Sequence, residues 1–210
     1  VGKYLSNLRI VAWASLAIAV VYFLVYAVGV AGLDITNIVL VRAALRWTHV
    51  LSGVMWIGLL WYFNFVQIPN MPKVPEEARG PAISKVIAPA ALYWFRWGAV
   101  ATLVTGLALA WANGYLVETL TLGASEGFEN AGHIFLGIGM WLAIIMFINV
   151  WAVIWPNQQK ALNIGDAYKD LTTEQRGKHA RTAMLFSRTN TLLSAPMLVA
   201  MAASQTLGVA

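Results

Sequence analysis

Apolar residues run along this chain in five long blocks, over residues 10–30, 39–66, 88–116, 132–155 and 183–207, separated by shorter polar stretches. Each block exceeds the roughly 20 residues that a helix needs to cross the hydrocarbon of a bilayer. The polar residues inside them recur at three- and four-residue spacings, the period of a helix rather than of a strand. The pattern predicts an all-α integral membrane protein, a bundle of five transmembrane helices. The first block is longer than the roughly 7 to 15 residues of a signal-peptide core and has no A-x-A site after it, so it is expected to be a retained helix. Two stretches, 67–89 and 155–182, are expected to be the only loops of size. Both are rich in charge and in Pro or Gly and too short to be domains, which leaves a single membrane domain over 1–210.

Composition agrees. Hydrophobic residues make up 60% and charged residues 11% of the chain, against about a quarter charged in soluble domains, and the mean hydropathy is +0.68. The absence of cysteine excludes disulfides, thiolate metal sites, iron–sulfur clusters and covalent Cys-x-x-Cys-His haem attachment within this polypeptide. Any redox group is held noncovalently.

The net charge of +5 does not indicate nucleic acid, because the basic residues sort by loop instead of forming one patch. Lys3 and Arg9 precede the first block; Lys73, Arg79 and Lys85 follow the second; Lys160, Lys169, Arg176, Lys178 and Arg181 follow the fourth. The stretch between the third and fourth carries Glu118, Glu126 and Glu129 with no Lys or Arg. The positive-inside rule then puts the N-terminus in the cytoplasm and the C-terminus in the periplasm, in a bacterial inner membrane. Arg42 and Arg46 fall on the outer side as exceptions.

Two of the three histidines share one setting: His49 is followed four residues on by Gly53, and His133 by Gly137. In a helix such a glycine lies on the histidine's face, one turn deeper. The topology puts both histidines in the outer leaflet at the same level. Two such helices facing each other are expected to clamp a haem b, His49 and His133 ligating the iron while Gly53 and Gly137 leave room for the porphyrin edge. Arg42, Arg46, His49, Gly53 and Trp56 form one stripe, and Glu126, Glu129, His133, Gly137 and Met140 the matching one. Arg42 and Arg46, one and two turns above His49, would pair with the haem propionates. The competing readings are a histidine that bonds a neighbouring helix, arginines that snorkel into headgroups and glycines that serve close packing.

Other residues compete for roles. Met140 and Met201 are alternative axial ligands, or packing. Trp47 and Trp56 flank His49 and would wall a haem, whereas Trp13, Trp94, Trp97, Trp111, Trp151 and Trp155 read as interfacial anchors. His179 falls in a charged stretch and is expected to be solvated. Asn64, Gln67, Arg96, Asn149, Asn157, Gln158, Arg188, Thr189, Asn190 and Thr191 gather toward the cytoplasmic ends; some must meet across helices, as a structural clasp by default. Pro196 is expected to kink the fifth helix. No phosphate-binding loop, dinucleotide glycine motif, serine triad or zinc signature is present.

Several strings together resemble a known family. Arg46-Trp47-Thr48-His49 with Gly53, Trp56, Ile57 and Gly58, then Trp94-Phe95-Arg96-Trp97 with Thr105-Gly106, then Asn149-Val150-Trp151 with Ile154-Trp155-Pro156-Asn157-Gln158, and Arg188-Thr189-Asn190-Thr191-Leu192-Leu193-Ser194-Ala195-Pro196-Met197 resemble the urate-oxidase N-terminal domain family, the membrane part of bacterial cytochrome c-linked urate hydroxylases. The likeness covers about residues 43–204, and a weaker one links the histidine-bearing helices to HemJ-type protoporphyrinogen oxidases. The resemblance implies a membrane redox protein. A cytochrome c domain follows the fifth helix in the urate enzymes, and this chain is expected to be a short form without it, meeting a separate cytochrome c outside.

Three functions follow as expectations. The first is a haem b electron-transfer subunit acting with a periplasmic cytochrome c or a larger respiratory-type complex. The second is a urate hydroxylase-type oxidoreductase with a separate cytochrome c as acceptor; Arg42 and Arg46 outside, or Arg96, Arg188 and Asn190 inside, would bind the anionic purine. The third is a haem-free accessory subunit of a membrane complex. The apolar exterior suits lipid, and suits a monomer or an oligomer equally.

Overall fold

The computed structural model describes residues 2–206, with side chains for residues 4–204; the expected end of the fifth helix at Leu207 lies outside the described residues. All regular structure among the described residues is helical, and four helices are long and apolar enough to cross a membrane. The chain divides into two units, Val1–Ala44 and Leu45–Ala210.

In the first unit, the Asn7 side chain accepts from the amides of Arg9 and Ile10 at 3.1 and 3.4 Å and starts helix α1 (Leu8–Val30). That is the usual job of an asparagine at a helix N-cap, where amides lack intrahelical partners. Only 6% of the apolar window of α1 is buried, so its side chains face outward, as in a lipid-facing span. Asp34 then accepts from the amide and hydroxyl of Thr36 at 2.8 and 2.7 Å. These bonds, the hydroxyl first, hold its carboxyl below the ordinary carboxylate range. Asn37 accepts from the Val39 amide at 2.9 Å and opens helix α2 (Ile38–Lys73).

The second unit holds the remainder of α2, then α3 (Glu76–Asn113), the short α4 (Leu116–Leu120), α5 (Ala131–Leu162) and α6 (Thr173–Thr206). Its core is one cluster in which Trp56, Leu60 and Phe63 of α2, Phe95 and Ala99 of α3, Met146 and Val150 of α5 and Met197 of α6 are buried together. Small residues let the helices approach. A Cβ on Gly98 would lie 3.3 Å from the Trp56 amide nitrogen, and one on Gly139 would lie 2.9 Å from the Ala200 Cβ. Helix α3 stops where Gly114 takes a left-handed conformation (φ 84°), which glycine adopts without steric cost.

The stretches expected as long loops are largely helical. Val74, extended before Pro75 as the proline ring requires, makes the only break between α2 and α3. Arg79 ties this corner, donating to the carbonyls of Val74 and Pro72 at 2.8 Å each. Pro156 falls at the first turn of the end segment of α5, where a missing N–H is tolerated. Helix α6 is likewise continuous through Pro196. Wider π-type turns interrupt α2 at Tyr62–Gln67, α3 at Arg79–Ile87 and α5 at Asn149–Ile154.

Polar groups inside the helix bundle do meet across helices. Asn64 donates to Ser187 Oγ at 2.8 Å, Trp61 to Ser194 Oγ at 2.9 Å, and Asn149 to Asn190 Oδ1 at 2.9 Å, while Asn190 donates to the Met146 carbonyl at 2.9 Å. Asn190 and Ser194 are fully buried. Trp151 and Trp155 are more than belt residues: the Arg96 guanidinium carbon lies 3.2 Å from the Trp155 ring centroid and 5.5 Å from that of Trp151, a cation–π contact within α3 and α5. His179, expected to be solvated, is half-buried. Its Nδ1 donates at 2.7 Å to Asn157 Oδ1, an amide oriented by its own bond to the Val153 carbonyl.

Candidate functional site around His49

His49 packs its ring onto α3. Its Nδ1 lies 2.9 Å from the Thr102 carbonyl oxygen and 3.3 Å from Thr105 Oγ1. A carbonyl only accepts, so Nδ1 carries the proton and, in the neutral ring, Nε2 is left with its lone pair. No described residue bonds Nε2. The Cε1 side of the ring lies against Gly106, where a Cβ would come within 2.7 Å of His49 Cε1. The glycine that gives this histidine its place is therefore Gly106 of the neighbouring helix. A Cβ on Gly53 would meet only Thr102 Cγ2, at 4.0 Å, so no close approach of a neighbouring helix requires glycine there.

A cavity of about 290 Å³ opens beside the ring, lined among others by Arg46, His49, Gly106, Tyr115, Met140 and Met201. A small void of about 30 Å³ continues from it past His49, Gly106, Met140 and Met201 to Trp56. Trp56 is 1% exposed, and its Nε1 has no hydrogen-bond partner. Buried indole N–H groups are nearly always paired, so this donor is unmet beside a cavity. Trp47, by contrast, is exposed. Arg46 joins the lining one turn along α2 from His49. Arg42 belongs to the first unit.

His133 is not in this lining. Its Nδ1 donates to Glu126, 2.9 and 3.0 Å from the two carboxylate oxygens, and its ring lies 5.5 Å from that of Tyr115 at 37°. Helix α5 begins at Ala131, with Asn130 accepting from the amides of Gly132 and His133. Glu126 therefore reaches His133 from a separate turn, Ala124–Glu126, and not along a helical stripe. The residues of α5 that join His49 in the cavity are Leu136 and Met140, one and two turns along the helix from His133. Gly137 also has a packing role: a Cβ there would collide with the Thr119 carbonyl oxygen of α4.

The donors present suit haem. A histidine whose Nδ1 is held by a backbone carbonyl presents Nε2 in a fixed tautomer and orientation, the arrangement usual for metal-ligating histidines. Thioether sulfur is an established second axial donor opposite histidine. The walls are largely apolar, Arg46 at the edge would pair with a propionate, and the volume of about 290 Å³ falls just under the range of about 300 to 1,000 Å³ usual for ligand sites. Among the described residues no cluster of three His, Asp or Glu side chains is present, so a carboxylate-rich metal centre is not built here. The sequence pattern missed Thr102, Gly106 and Tyr115; a small residue beside two hydroxyls in the outer half of the third block was the available signal.

No family model matches this chain, and no curated protein or solved structure matches it.

Proposed function

We propose that this chain is a membrane-embedded haem b protein that carries electrons, with His49 as the axial ligand. The observation that carries the reading is the His49 ring, fixed at Nδ1 by Thr102 and open at Nε2 beside a cavity with two thioethers. When bound there, haem b supplies one-electron chemistry between ferrous and ferric iron. The chain's own residues do the rest. Thr102 sets the tautomer of His49, Gly106 sets its depth, and Met140 or Met201 completes the ligand set. Arg46 neutralises carboxylate charge at the rim, and the buried Trp56 N–H offers a hydrogen bond in an otherwise apolar wall. His133, held by Glu126 and stacked on Tyr115, orders the end of the site.

Helix α6 is the fifth span in this reading. Its 34 residues extend about 50 Å, more than the roughly 30 Å of the hydrocarbon core. Its modest apolarity comes from the charged first turns, Glu174 to Arg181, from Arg188, and from Ser187, Asn190 and Ser194, these last three buried and bonded to other helices. The distribution of Lys and Arg supports a cytoplasmic N-terminus, a periplasmic C-terminus and a bacterial inner membrane. The His49 cavity then faces the periplasmic side, where a cytochrome c or another redox subunit exchanges electrons. The urate-oxidase resemblance supports the redox class. For urate binding, Arg96 lies against the Trp155 ring and Asn190 is fully buried and bonded, which leaves Arg42, Arg46 and Arg188 as the candidate partners of an anionic purine.

The test is a pyridine haemochrome assay on detergent-purified protein from its native membrane. About one haem b per chain supports the reading. Absence of haem, with stoichiometric membrane partners co-purifying, favours the accessory-subunit alternative.

A further inference from the structure

A second and larger cavity lies at the opposite end of the second unit, where the C-terminal part of α2, the start of α3, the end of α5 and the start of α6 meet. It encloses about 580 Å³. Phe63, Leu92 and Phe95 form buried walls, with the two phenylalanine rings edge to face at 5.8 Å and 87°. A flat ring between an aromatic edge and aliphatic side chains is well accommodated in such a wall.

Two polar groups in this chamber are unmet. Gln67 lines it, and its Oε1 is buried without a donor. Ser187 also lines it, 6% exposed. Its Oγ accepts from Asn64 Nδ2 at 2.8 Å, and Asn64 is oriented by a second bond, to the Leu60 carbonyl at 2.9 Å. Ser187 is thus used as an acceptor, and its own proton has no acceptor among the described residues. Burial without a partner costs a polar group about 1–3 kcal/mol, so an unmet acceptor and an unmet donor in one apolar chamber call for a ligand carrying both.

The charge pattern selects among ligands. An anionic headgroup brings acceptors and no proton for Gln67. Two cations belong to the lining: Arg176 is already committed through Nε to the Leu171 carbonyl and through Nη2 to that of Tyr168, at 3.1 and 3.0 Å, and Arg181 is exposed, unlike the buried Ser187. Ser84 and Arg176 also line an adjoining polar cavity of about 580 Å³ that includes Lys85 and Asp166. The chamber is therefore apolar inside, polar at one side and neutral where its hydrogen bonds are open.

We propose that this chamber binds a neutral quinol or quinone with a hydrocarbon tail. The ring lies against Phe63 and Phe95, a quinol hydroxyl donates to Gln67 Oε1, and a ring oxygen accepts from Ser187 Oγ–H. The site is separate in its residues from the His49 cavity and does not depend on haem.

The full chain in phosphatidylcholine nanodiscs, titrated calorimetrically with decylubiquinol, tests this. One saturable site per chain is expected. Gln67→Leu and Ser187→Ala each remove one hydrogen bond to the ligand, so each is expected to weaken binding about three- to tenfold, Gln67→Leu with an unchanged melting temperature and Ser187→Ala with a lowered one, because it also removes the acceptor of Asn64. If Ser187→Ala fails to fold, Gln67→Leu alone carries the comparison. His49→Ala is expected to bind decylubiquinol like the parent whether or not it holds haem, which separates this proposal from the haem reading. No saturable binding, unchanged affinity in a folded Gln67→Leu, or displacement by oleate or phosphatidylglycerol at matching concentrations would overturn it, the last identifying a lipid site.

Discussion

Gly106 lies against the Cε1 side of the imidazole of His49, so close that a methyl group in place of its hydrogen would come within 2.7 Å of the ring carbon Cε1 and 3.1 Å of Nδ1. Gly106→Ala is therefore expected to push the ring off the Thr102 carbonyl and to reduce haem content severalfold. Gly53→Ala, whose Cβ meets only a methyl at 4.0 Å, is expected to keep it. Haem-to-protein ratios of the two variants decide the point; equal loss in both would return the role to Gly53.

Met140 and Met201 line the cavity with His49, and His133 does not. His133→Ala is expected to retain full haem. Met140→Leu or Met201→Leu is expected to retain haem but alter the reduced spectrum and lower the midpoint potential, because a thioether ligand favours the ferrous state. Redox titration with optical detection reads this. Loss of haem in His133→Ala would instead support a bis-histidine clamp.

Gly137 meets the backbone carbonyl of Thr119, an atom that no rotamer change can move aside. Gly137→Ala is expected to lower stability by about 1–3 kcal/mol, as overpacking in a tight core does. It is expected to do so by displacing α4, with haem content less affected than in Gly106→Ala. Thermal melting followed by intrinsic fluorescence gives the comparison.

Asn190 is fully buried, accepts from Asn149 and donates to the Met146 carbonyl. Asn190→Ala strands both partners and is expected to cost about 1–2 kcal/mol, within the range for polar contacts between membrane helices. The double variant with Asn149→Ala is expected to lose less than the sum of the singles. Full additivity would mean that the pair is not coupled in the membrane.

Much of this architecture is legible along the chain because apolar length is a one-dimensional signal. The blocks at 10–30, 39–66, 88–116 and 132–155 lie within or closely overlap α1, α2, α3 and α5. The connections were harder to read. Proline and glycine in 67–89 suggested loop, yet only Val74 and Pro75 break the helix, because the other prolines fall in or beside π-type and 3-10 turns, where the regular hydrogen-bond ladder is already displaced. The site shows the same limit more sharply. His49 stands out by residue type, but its partners Thr102 and Gly106 are set by the packing of α2 on α3, which no spacing within α2 encodes. His133 and His49 share a local pattern and differ in surroundings, since Glu126 and Tyr115 reach His133 from turns outside the helical period.

The most direct measurement is the dithionite-reduced minus oxidised spectrum of His49→Gly beside that of the parent protein, each purified in detergent, with and without added imidazole. The account predicts a b-type spectrum in the parent, its loss in His49→Gly, and its return when imidazole fills the space left by the side chain. An unchanged b-type spectrum in His49→Gly without imidazole would contradict the assignment of His49 as the haem ligand.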